Sequence, residues 1–442
     1  MRIDYFGPID LLSGFIWLVI ILIIARVKYT KNREKVHYKY FMYNVYFKLL
    51  LGLAFGIFYV VVAGGGDTTA YWEGAKSLNN LLFRSVGDFY IEMSHTGQSK
   101  EWYGLFDMQT GYPPGWIYRE PEGWFVSKVS SFVSLITFKS YWAGTFIFAY
   151  VLSQASWKIY DLTISFKLHN PFYAALAVLF IPSVSFWCAT VSKDAIVLIS
   201  TFYLIYHLFQ IISLEKKSTL WNWIVILFYL YFILQTRSAV AMAISAPILF
   251  AFSARIRRRY RHQPFFAGLL ASIILLIGVG LVMVFMYTQG ELLQRYIDQA
   301  AVVQQDFISN KTYGDKRYDL GITDFSPGGL IRVFPSALVA GTFRPFIWEA
   351  FSPTLIINGL ESAFFMYLML MFFIRGNVLE KIRQIRKSEF LMYSFYFMLL
   401  MAFMSGFTGV IFGVLVRFKA AVLPFLALVI TANLNTKVDK EK

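Results

Sequence analysis

Apolar stretches long enough to cross a membrane recur along this chain, separated by polar or charged segments. A helix of about 20 residues crosses a hydrocarbon core of about 30 Å, and at that length only helices satisfy their backbone hydrogen bonds in lipid. The pattern predicts an all-α fold, a polytopic transmembrane helical bundle of about 11 spans. The predicted spans are residues 10–27, 43–63, 139–160, 171–190, 194–213, 219–236, 238–254, 264–288, 350–374, 389–412 and 415–434.

The last two spans come from one apolar run, residues 389–434, which is too long for a single crossing. Gly406 and Gly413 are the positions at which the sequence favours a turn within this run. The whole chain, residues 1–442, is predicted to form a single integral membrane domain.

Two long connections, residues 64–138 and 289–349, fall on the same side of the predicted bundle and are its two outer loops. Each contains an apolar segment, residues 123–138 in the first loop and 328–343 in the second. Such segments are predicted to be helices that lie at the membrane interface or re-enter a protein-lined cavity.

The basic residues lie on the other side of this predicted topology. They crowd residues 28–39, 255–261 and 375–387, and with the remaining connections on that side they account for the whole net charge of +15. Basic connections stay in the cytoplasm, so the N-terminus is predicted outside and the C-terminus in the cytoplasm. Because the charge is explained by topology, membrane lipid is an expected partner and nucleic acid is not; the sequence does not identify a protein partner.

Composition and missing motifs argue against several other classes of protein. Only 15% of the residues are charged, against about a quarter in soluble domains. The single cysteine, Cys188, excludes an internal disulfide framework and a cysteine zinc site. No GxxxxGK[ST], HExxH or GxSxG motif is present and the five histidines are scattered, which argues against nucleotide hydrolysis, a histidine metal site and a serine hydrolase.

Ionisable residues near the outer ends of the predicted spans are the candidate functional groups. A charge near the bilayer centre costs at least about 2.5–3.5 kcal/mol, so such residues usually face a cavity. The candidates are Asp67, Lys193, Asp194, Arg237, Arg344, Glu349, Glu361, Arg417 and Lys419.

Structural explanations stay open for several of these residues. Arg237 can snorkel to the interface, and Asp194 can cap the helix that follows it. Glu361 can be a buried partner for one of the arginines. The glycine triplet 64–66, which precedes Asp67, can be a plain helix stop.

The cations outnumber the acids in this outer layer, and arginine binds phosphate bidentately while always remaining charged. We therefore expect a cationic cavity at the outer headgroup level that binds a diphosphate attached to a lipid. The residues predicted to converge there from five regions of the chain are Asp67, Lys193, Arg237, Arg344 and Arg417.

Four segments, which cover about residues 60–425, resemble the O-antigen and exopolysaccharide polymerase-like polytopic membrane proteins, a group related to the GT-C class of glycosyltransferases. In chain order they are GGGDTTAYWEGAKSL, PSVSFWCATVSKDA, FRPFIWEA with Glu361 further on, and RFKAAVLPF. The resemblance implies a GT-C-like bundle, a polyprenyl-diphosphate sugar donor and catalysis on the outer face. It also implies that Asp67 is the catalytic or metal-binding carboxylate and that Arg237, Arg344 and Arg417 form the donor site.

The chain departs from that family in two respects. One span precedes the GT-C-like module, and Thr68 and Thr69 follow Asp67 where the family places a second acidic residue. A divalent metal stays open but lacks the carboxylate that would support it. No metal ligand is assigned, and no other cofactor is predicted.

The predicted activity is glycosyl transfer on the outer, periplasmic face, as in a membrane glycosyltransferase or polysaccharide polymerase. Asp67 is expected to accept the proton of an acceptor-sugar hydroxyl, and Lys193 and Lys419 to join the arginines that hold the diphosphate. Tyr71 and Trp72 either stack on sugar rings or pack at the membrane interface. The partners implied are a lipid-linked saccharide donor and a glycan acceptor.

Two other functions stay open: a transporter or flippase for lipid-linked saccharides, and a non-catalytic membrane subunit of a larger assembly. A transporter is expected to have inverted repeats, broken helices and charges in mid-membrane. The sequence contains no repeat and its charges cluster on one side, which favours the enzyme.

Overall fold

The computed structural model describes residues 5–95, 103–167, 169–214, 219–273, 276, 280, 317–321 and 327–432. Over these residues the protein is all-helical and has no β-strand. One isolated β-bridge joins Arg317 and Ile411. The helices are α1 (Pro8–Lys31), α2 (Lys39–Ile57), α3 (Asp67–Arg84), α4 (Val86–Ser94), α5 (Gly115–Tyr118), α6 (Pro121–Ile136), α7 (Tyr141–Ser165), α8 (Pro171–Val178), α9 (Pro182–Cys188), α10 (Lys193–Ile212), α11 (Leu220–Arg259), α12 (Pro264–Ile273), α13 (Pro327–Phe343), α14 (Pro353–Ile374), α15 (Val378–Lys387), α16 (Glu389–Thr408), α17 (Phe412–Lys419) and α18 (Leu423–Thr431).

Within this described part of the chain, six helices are long and apolar enough to cross a membrane. The number rises to nine if three bent helix pairs each count as one span. The pairs are α6 with α7, bent by 109°, α8 with α9, bent by 42°, and α17 with α18, bent by 52°. A membrane-embedded helical protein is thus supported, with six to nine candidate spans.

The predicted number of about 11 spans stays a prediction. Two of the predicted spans fall in α11, a single element of 40 residues whose one non-helical residue is Arg237, where the sequence analysis divides it. Most of the predicted span 264–288 lies outside the described residues, as does most of 289–326 in the second outer loop. The two apolar loop segments are confirmed as helices, α6 and α13.

The described helices form two compact units whose segments alternate along the chain. Unit 1 comprises Met1–Ser165, Leu179–His207 and Thr219–Ala241. Unit 2 comprises Phe166–Val178, Leu208–Ser218 and Met242–Lys442. The candidate residues Asp67, Lys193, Asp194 and Arg237 belong to unit 1, and the candidates from Arg344 to Lys419 belong to unit 2.

In unit 1 the helix α3 is buried although its sequence is too polar for a membrane span, and it packs against α6. Small residues allow the close approach. A Cβ at Gly74 would lie only 2.6 Å from the Ser127 hydroxyl oxygen and 3.0 Å from the Trp124 ring. Small residues at a contact let the backbones of two helices approach closely. This packing fixes the helix that begins at Asp67.

In unit 2 the closest helix contact joins α13 and α16 through two glycines. A Cβ at Gly341 would lie 1.8 Å from the Ala402 carbonyl oxygen, and one at Gly406 would lie 1.9 Å from the Ala337 carbonyl oxygen. Gly406 therefore lies inside a packed helix, and its prediction as a turn residue is wrong. The apolar run divides instead at residues 409–411, after α16 ends at Thr408.

One buried lysine in unit 1 supports an interrupted stretch of helix. Lys48, fully buried in the middle of α2, donates to the Leu179 carbonyl oxygen at 2.9 Å and to the Ser185 hydroxyl at 2.6 Å. Leu179 lies in the break between α8 and α9, where helical hydrogen bonds are interrupted. A side chain that satisfies a freed carbonyl makes such a break tolerable in lipid.

Candidate functional site

Asp67 is the first residue of α3 and follows a tight turn made by three glycines. Gly64, Gly65 and Gly66 have φ values of 69°, 126° and 154°, a region that favours glycine. A Cβ at Gly66 would also lie 2.7 Å from the Tyr59 ring. The triplet therefore sets the half-buried position of Asp67 and does more than stop the preceding helix.

Tyr71 and Trp72 lie inside unit 1, where both rings are covered by protein. Trp72 is 0% exposed, donates its ring N–H to the Lys139 carbonyl oxygen at 3.0 Å and packs edge-on against Tyr141. The ring also lies so close to Gly144 that a Cβ there would be 2.3 Å away. Both side chains therefore pack inside unit 1, with no ring face open to a sugar, and packing at the membrane interface stays a prediction.

Lys193 and Arg237 lie together in unit 1, but each is paired with carboxylates. The Lys193 ammonium contacts Glu120 and lies 3.6 Å from the Glu122 carboxylate. The Arg237 guanidinium lies 2.8 Å from Asp194, whose side chain is 8% exposed. This unit 1 ion-pair cluster (Glu120, Glu122, Lys193, Asp194, Arg237) contains two cations and three acids. Acids therefore compensate both cations of this cluster.

Two of these acids, Glu120 and Glu122, were missed because they stand far from the span ends in sequence. They flank Pro121 at the start of α6, and the pairing is visible only once α6 lies beside the start of α10. The alternative that Asp194 caps α10 is also wrong. The cap is Ser192, whose hydroxyl accepts the Ala195 N–H at 3.0 Å. Asp194 lies two residues after Ser192 and pairs with Arg237 instead.

We expect Arg237→Gln to destabilise the protein, because it leaves the buried Asp194 carboxylate without its ion-pair partner. Removing one partner of a buried pair costs on the order of 3 kcal/mol. Thermal unfolding of the detergent-purified protein measures the effect. Arg84→Gln is the matched control, since Arg84 makes exposed pairs with Asp88 and Asp107 that are worth about 0–1 kcal/mol.

The double variant Asp194→Asn/Arg237→Gln removes both charges and should recover most of the lost stability. If Arg237→Gln and Arg84→Gln shift the unfolding temperature equally, the buried pair has no special weight.

A second cluster in unit 1 surrounds Glu92, a carboxylate with no exposed surface. It accepts the Trp124 ring N–H at 2.9 Å, lies 2.9 Å from the His95 ring nitrogen and 3.4 Å from the Tyr118 hydroxyl. Lys128 donates to the backbone carbonyls of Met93 and His95 beside it. Burial raises the pKa of Glu92 to about 7, although the Trp124 hydrogen bond and Lys128 act in the opposite direction.

This cluster forms one wall of a cavity of about 380 Å³ in unit 1. His95, Trp124 and Lys128 line the cavity on one side and Phe228, Tyr231 and Gln235 on the other. A buried carboxyl group with a raised pKa beside a cavity is typical of functional sites. The sequence analysis missed Glu92 because only the fold buries it.

As the pH rises from about 4.5 to 7, ionisation of Glu92 should therefore lower the free energy of unfolding. A carboxyl group whose pKa is raised in the folded state holds its proton more tightly than in the unfolded chain, so ionising it opposes folding as pH rises. In Glu92→Gln the unfolding temperature should fall less across this range than in the wild-type protein. His95, whose pKa burial lowers, has the opposite slope below pH 6.5 and is present in both proteins. Identical pH profiles would contradict the assignment.

In unit 2 the guanidinium group of Arg344 lies over two aromatic rings. Its central carbon lies 4.7 Å from the centre of the Tyr318 ring and 5.6 Å from that of Phe346. Its Nε atom lies 3.4 Å from the Glu349 carboxylate, which also accepts the Phe346 N–H at 2.9 Å. Its Nη1 atom is buried and, within the described chain, has no hydrogen-bond partner. Among the described residues, one donor edge of Arg344 thus has no acceptor.

Lys419 supports the backbone of Arg344. The fully buried ammonium donates to the Arg344 carbonyl oxygen at 3.1 Å and to the Ser362 hydroxyl at 2.5 Å. Glu361 lies within electrostatic range of Lys419. The described contacts of Lys419 hold the backbone that carries Arg344, and its role as a direct diphosphate ligand stays a prediction.

Arg417 lies half-buried on α17, which packs against α13 and α14, the helices on either side of Arg344. A third arginine, Arg317, joins this part of unit 2 through its bridge to Ile411, and the Tyr318 N–H donates to the Val410 carbonyl oxygen at 3.1 Å. Arg317 does not stand out in the sequence because it lies in a loop. The unit 2 basic cluster (Arg317, Arg344, Arg417, Lys419) has four cations, and the acids near it among the described residues are Asp319, Glu349 and Glu361.

The structure thus groups the predicted cations into two clusters, one in each unit, while Asp67 belongs to unit 1 but to neither cluster. The convergence of all of them on one cavity stays a prediction. Among the described residues, no group of three or more His, Cys, Asp or Glu side chains is placed to hold a metal ion.

A comparison with protein-family models finds no match, and comparisons with curated proteins and with solved structures find none that is significant. The case for a function therefore rests on the residues and geometry described above.

Proposed function

We propose that this protein is a membrane glycosyltransferase or polysaccharide polymerase that uses a polyprenyl-diphosphate-linked sugar donor. Its site lies on the outer, periplasmic face of a bacterial inner membrane, with the N-terminus outside and the C-terminus in the cytoplasm. The asymmetric distribution of basic residues supports this orientation.

The observation that carries the proposal is the incomplete hydrogen bonding of the Arg344 guanidinium group. Tyr318, Phe346 and Glu349 hold its guanidinium group in place, while its buried Nη1 atom has no hydrogen-bond acceptor in the described chain. Leaving a buried donor unsatisfied costs about 1–3 kcal/mol. A diphosphate oxygen would satisfy it, and arginine suits that ligand because its planar fork matches phosphate geometry.

The excess of cations around Arg344 supports the same ligand. Arg317 and Arg417 add positive charge in unit 2, and Lys419 fixes the backbone that carries Arg344. Lys193 and Arg237 have a different role in the proposal, because carboxylates already compensate their charges. We assign the donor diphosphate to the unit 2 basic cluster and a supporting role to the unit 1 ion-pair cluster.

The reaction follows from these assignments. Asp67 accepts the proton of an acceptor-sugar hydroxyl while that oxygen forms a bond to the anomeric carbon of the donor. The bond between the anomeric carbon and the lipid diphosphate breaks, and its electron pair leaves on the diphosphate. Arg344 and Arg417 stabilise the charge that develops there. Diphosphate is a good leaving group, so no general acid is needed.

Reconstitution of the purified protein into liposomes tests the proposal. A polyprenyl-diphosphate-linked saccharide is supplied as donor and a glycan as acceptor, and mass spectrometry follows the new glycosidic bond and the released lipid diphosphate. Product that depends on the protein supports the proposal. Donor that is bound but never consumed, with every acceptor tested, would count against it.

Transport of lipid-linked saccharides is the second candidate, and one group of observations favours it. Three helix pairs are bent at short breaks, and Lys48 is buried in the middle of a candidate span. Broken helices and charges in mid-membrane are typical of transporters. In the same liposomes, donor that crosses to the protected side without a new glycosidic bond would favour the transporter.

A further inference from the structure

A groove of about 720 Å³ lies in unit 2 and is independent of the clusters described above. Its walls come from the end of α11, the end of α14, and α15, α16 and α18. They are mainly aromatic and aliphatic, and several of the side chains are well exposed. Examples are Phe250, Phe373, Ile382 and Tyr396.

Buried apolar contacts, a ring stack and hydrogen bonds fix the floor and one wall of the groove. Ile385, Leu391 and Val429 form a buried apolar cluster, and the rings of Phe250 and Tyr396 stack 5.0 Å apart. Lys381 donates to the backbone carbonyl oxygens of Phe372 and Arg375 and so ties α15 to the end of α14. The volume falls in the range of about 300–1,000 Å³ that is usual for ligand sites.

Two exposed arginines border this apolar surface, Arg257 at the end of α11 and Arg386 on α15. In the described chain neither has an ion-pair partner. Their neighbour Arg258 differs, since it lies 3.2 Å from the Glu389 carboxylate and donates to the Lys387 carbonyl oxygen at 2.8 Å. The groove therefore combines an apolar interior with uncompensated positive charge at its edge.

We propose that this groove binds an anionic phospholipid. One acyl chain lies along the aromatic and methionine side chains, and the phosphate contacts Arg257 and Arg386. Charge complementarity selects this ligand: a neutral hydrocarbon would leave the two guanidinium groups unused, and a soluble anion would leave the apolar surface in water. Basic pockets between membrane helices on the cytoplasmic side bind anionic headgroups in this way, and the charge pattern predicts that side for both arginines.

A pair of matched double variants tests the site. Arg257→Glu/Arg386→Glu reverses the two arginines at the groove. Arg259→Glu/Arg383→Glu makes the same change in net charge on the same two helices, at exposed arginines that do not line the groove. Native mass spectrometry of the full-length protein in detergent measures binding of a phosphatidylglycerol, with a phosphatidylcholine of the same acyl chains as the neutral probe.

We expect the wild-type protein to bind phosphatidylglycerol at least about tenfold more tightly than phosphatidylcholine. The groove variant should lose at least about tenfold in affinity, since two charge-assisted contacts are removed, while the matched variant stays close to wild type. Glycerol phosphate, which has the headgroup chemistry without the chains, should bind far more weakly than the lipid.

Equal losses in the two double variants would reduce the effect to general surface charge and overturn the proposal. Equal binding of the two phospholipids would also overturn it. If the groove variant does not fold, Arg257→Gln/Arg386→Gln replaces it, with Arg259→Gln/Arg383→Gln as its control and the same expected loss.

Discussion

Replacing Arg344 with lysine is expected to weaken donor binding by roughly 10- to 150-fold although the charge is kept. Lysine has no planar fork, so it cannot stack on Tyr318, contact Glu349 and donate to a phosphate oxygen in one geometry. Truncating a charge-assisted hydrogen bond typically costs about 1.5–3 kcal/mol, which sets the size of the effect. Titration of the detergent-purified protein with a polyprenyl-diphosphate donor measures it.

Arg332→Lys is the control for this substitution. Arg332 lies on the same helix, α13, and is exposed to the surroundings. It should bind the donor like the wild-type protein. Arg417→Lys should reproduce a loss of similar size if both arginines contact the diphosphate. If Arg344→Lys and Arg332→Lys bind the donor equally well, the unit 2 basic cluster is not the diphosphate site.

Lys419 supplies a further check on the same cluster. A residue that only positions Arg344 should act through the backbone, so Lys419→Ala should lower both the stability and donor binding, whereas Arg344→Lys should lower donor binding alone. The contrast follows from the two contacts of Lys419, which are to a backbone carbonyl and to Ser362.

The class of fold could be predicted from the sequence because hydrophobic length is a local property. The free energy of transfer of an apolar run into lipid depends on that run alone, so α1, α10, α14 and α16 begin and end within a few residues of their predicted spans. The breaks were harder to predict. Glycine is common both in turns and where two helices pack closely. Gly406 packs closely against α13, and only the position of that helix distinguishes the two roles.

The candidate site could be predicted only in part, for a related reason. Charged residues inside or beside apolar runs stand out in sequence, which is why Lys193, Arg237, Arg344 and Lys419 were selected. Their partners do not stand out. Glu92, Glu120 and Glu122 stand in an ordinary polar stretch of the sequence, and the fold alone places them against cations or buries them. Whether a cation is available to a ligand depends on such partners, which the sequence alone does not identify.

Replacing Asp67 with asparagine is expected to lower turnover by about 10²- to 10⁴-fold while donor binding stays close to wild type. Asparagine keeps the shape of the side chain at the start of α3 but cannot accept a proton from the acceptor hydroxyl. The substitution removes a base and leaves Arg344 and its surroundings unchanged in unit 2. Single-turnover glycosyl transfer in the reconstituted liposomes measures turnover, and the donor titration measures binding.

Asp88→Asn is the matched control, because Asp88 is another acid of the first outer loop and pairs with Arg84 at an exposed position. It should transfer sugar at the wild-type rate. The two substitutions then have separate effects: Arg344→Lys loses donor binding, and Asp67→Asn loses turnover with donor binding intact. If Asp67→Asn retains full transfer, the base lies elsewhere. Glu92 is then the next carboxylate to test, since its pKa near 7 already suits proton transfer at neutral pH.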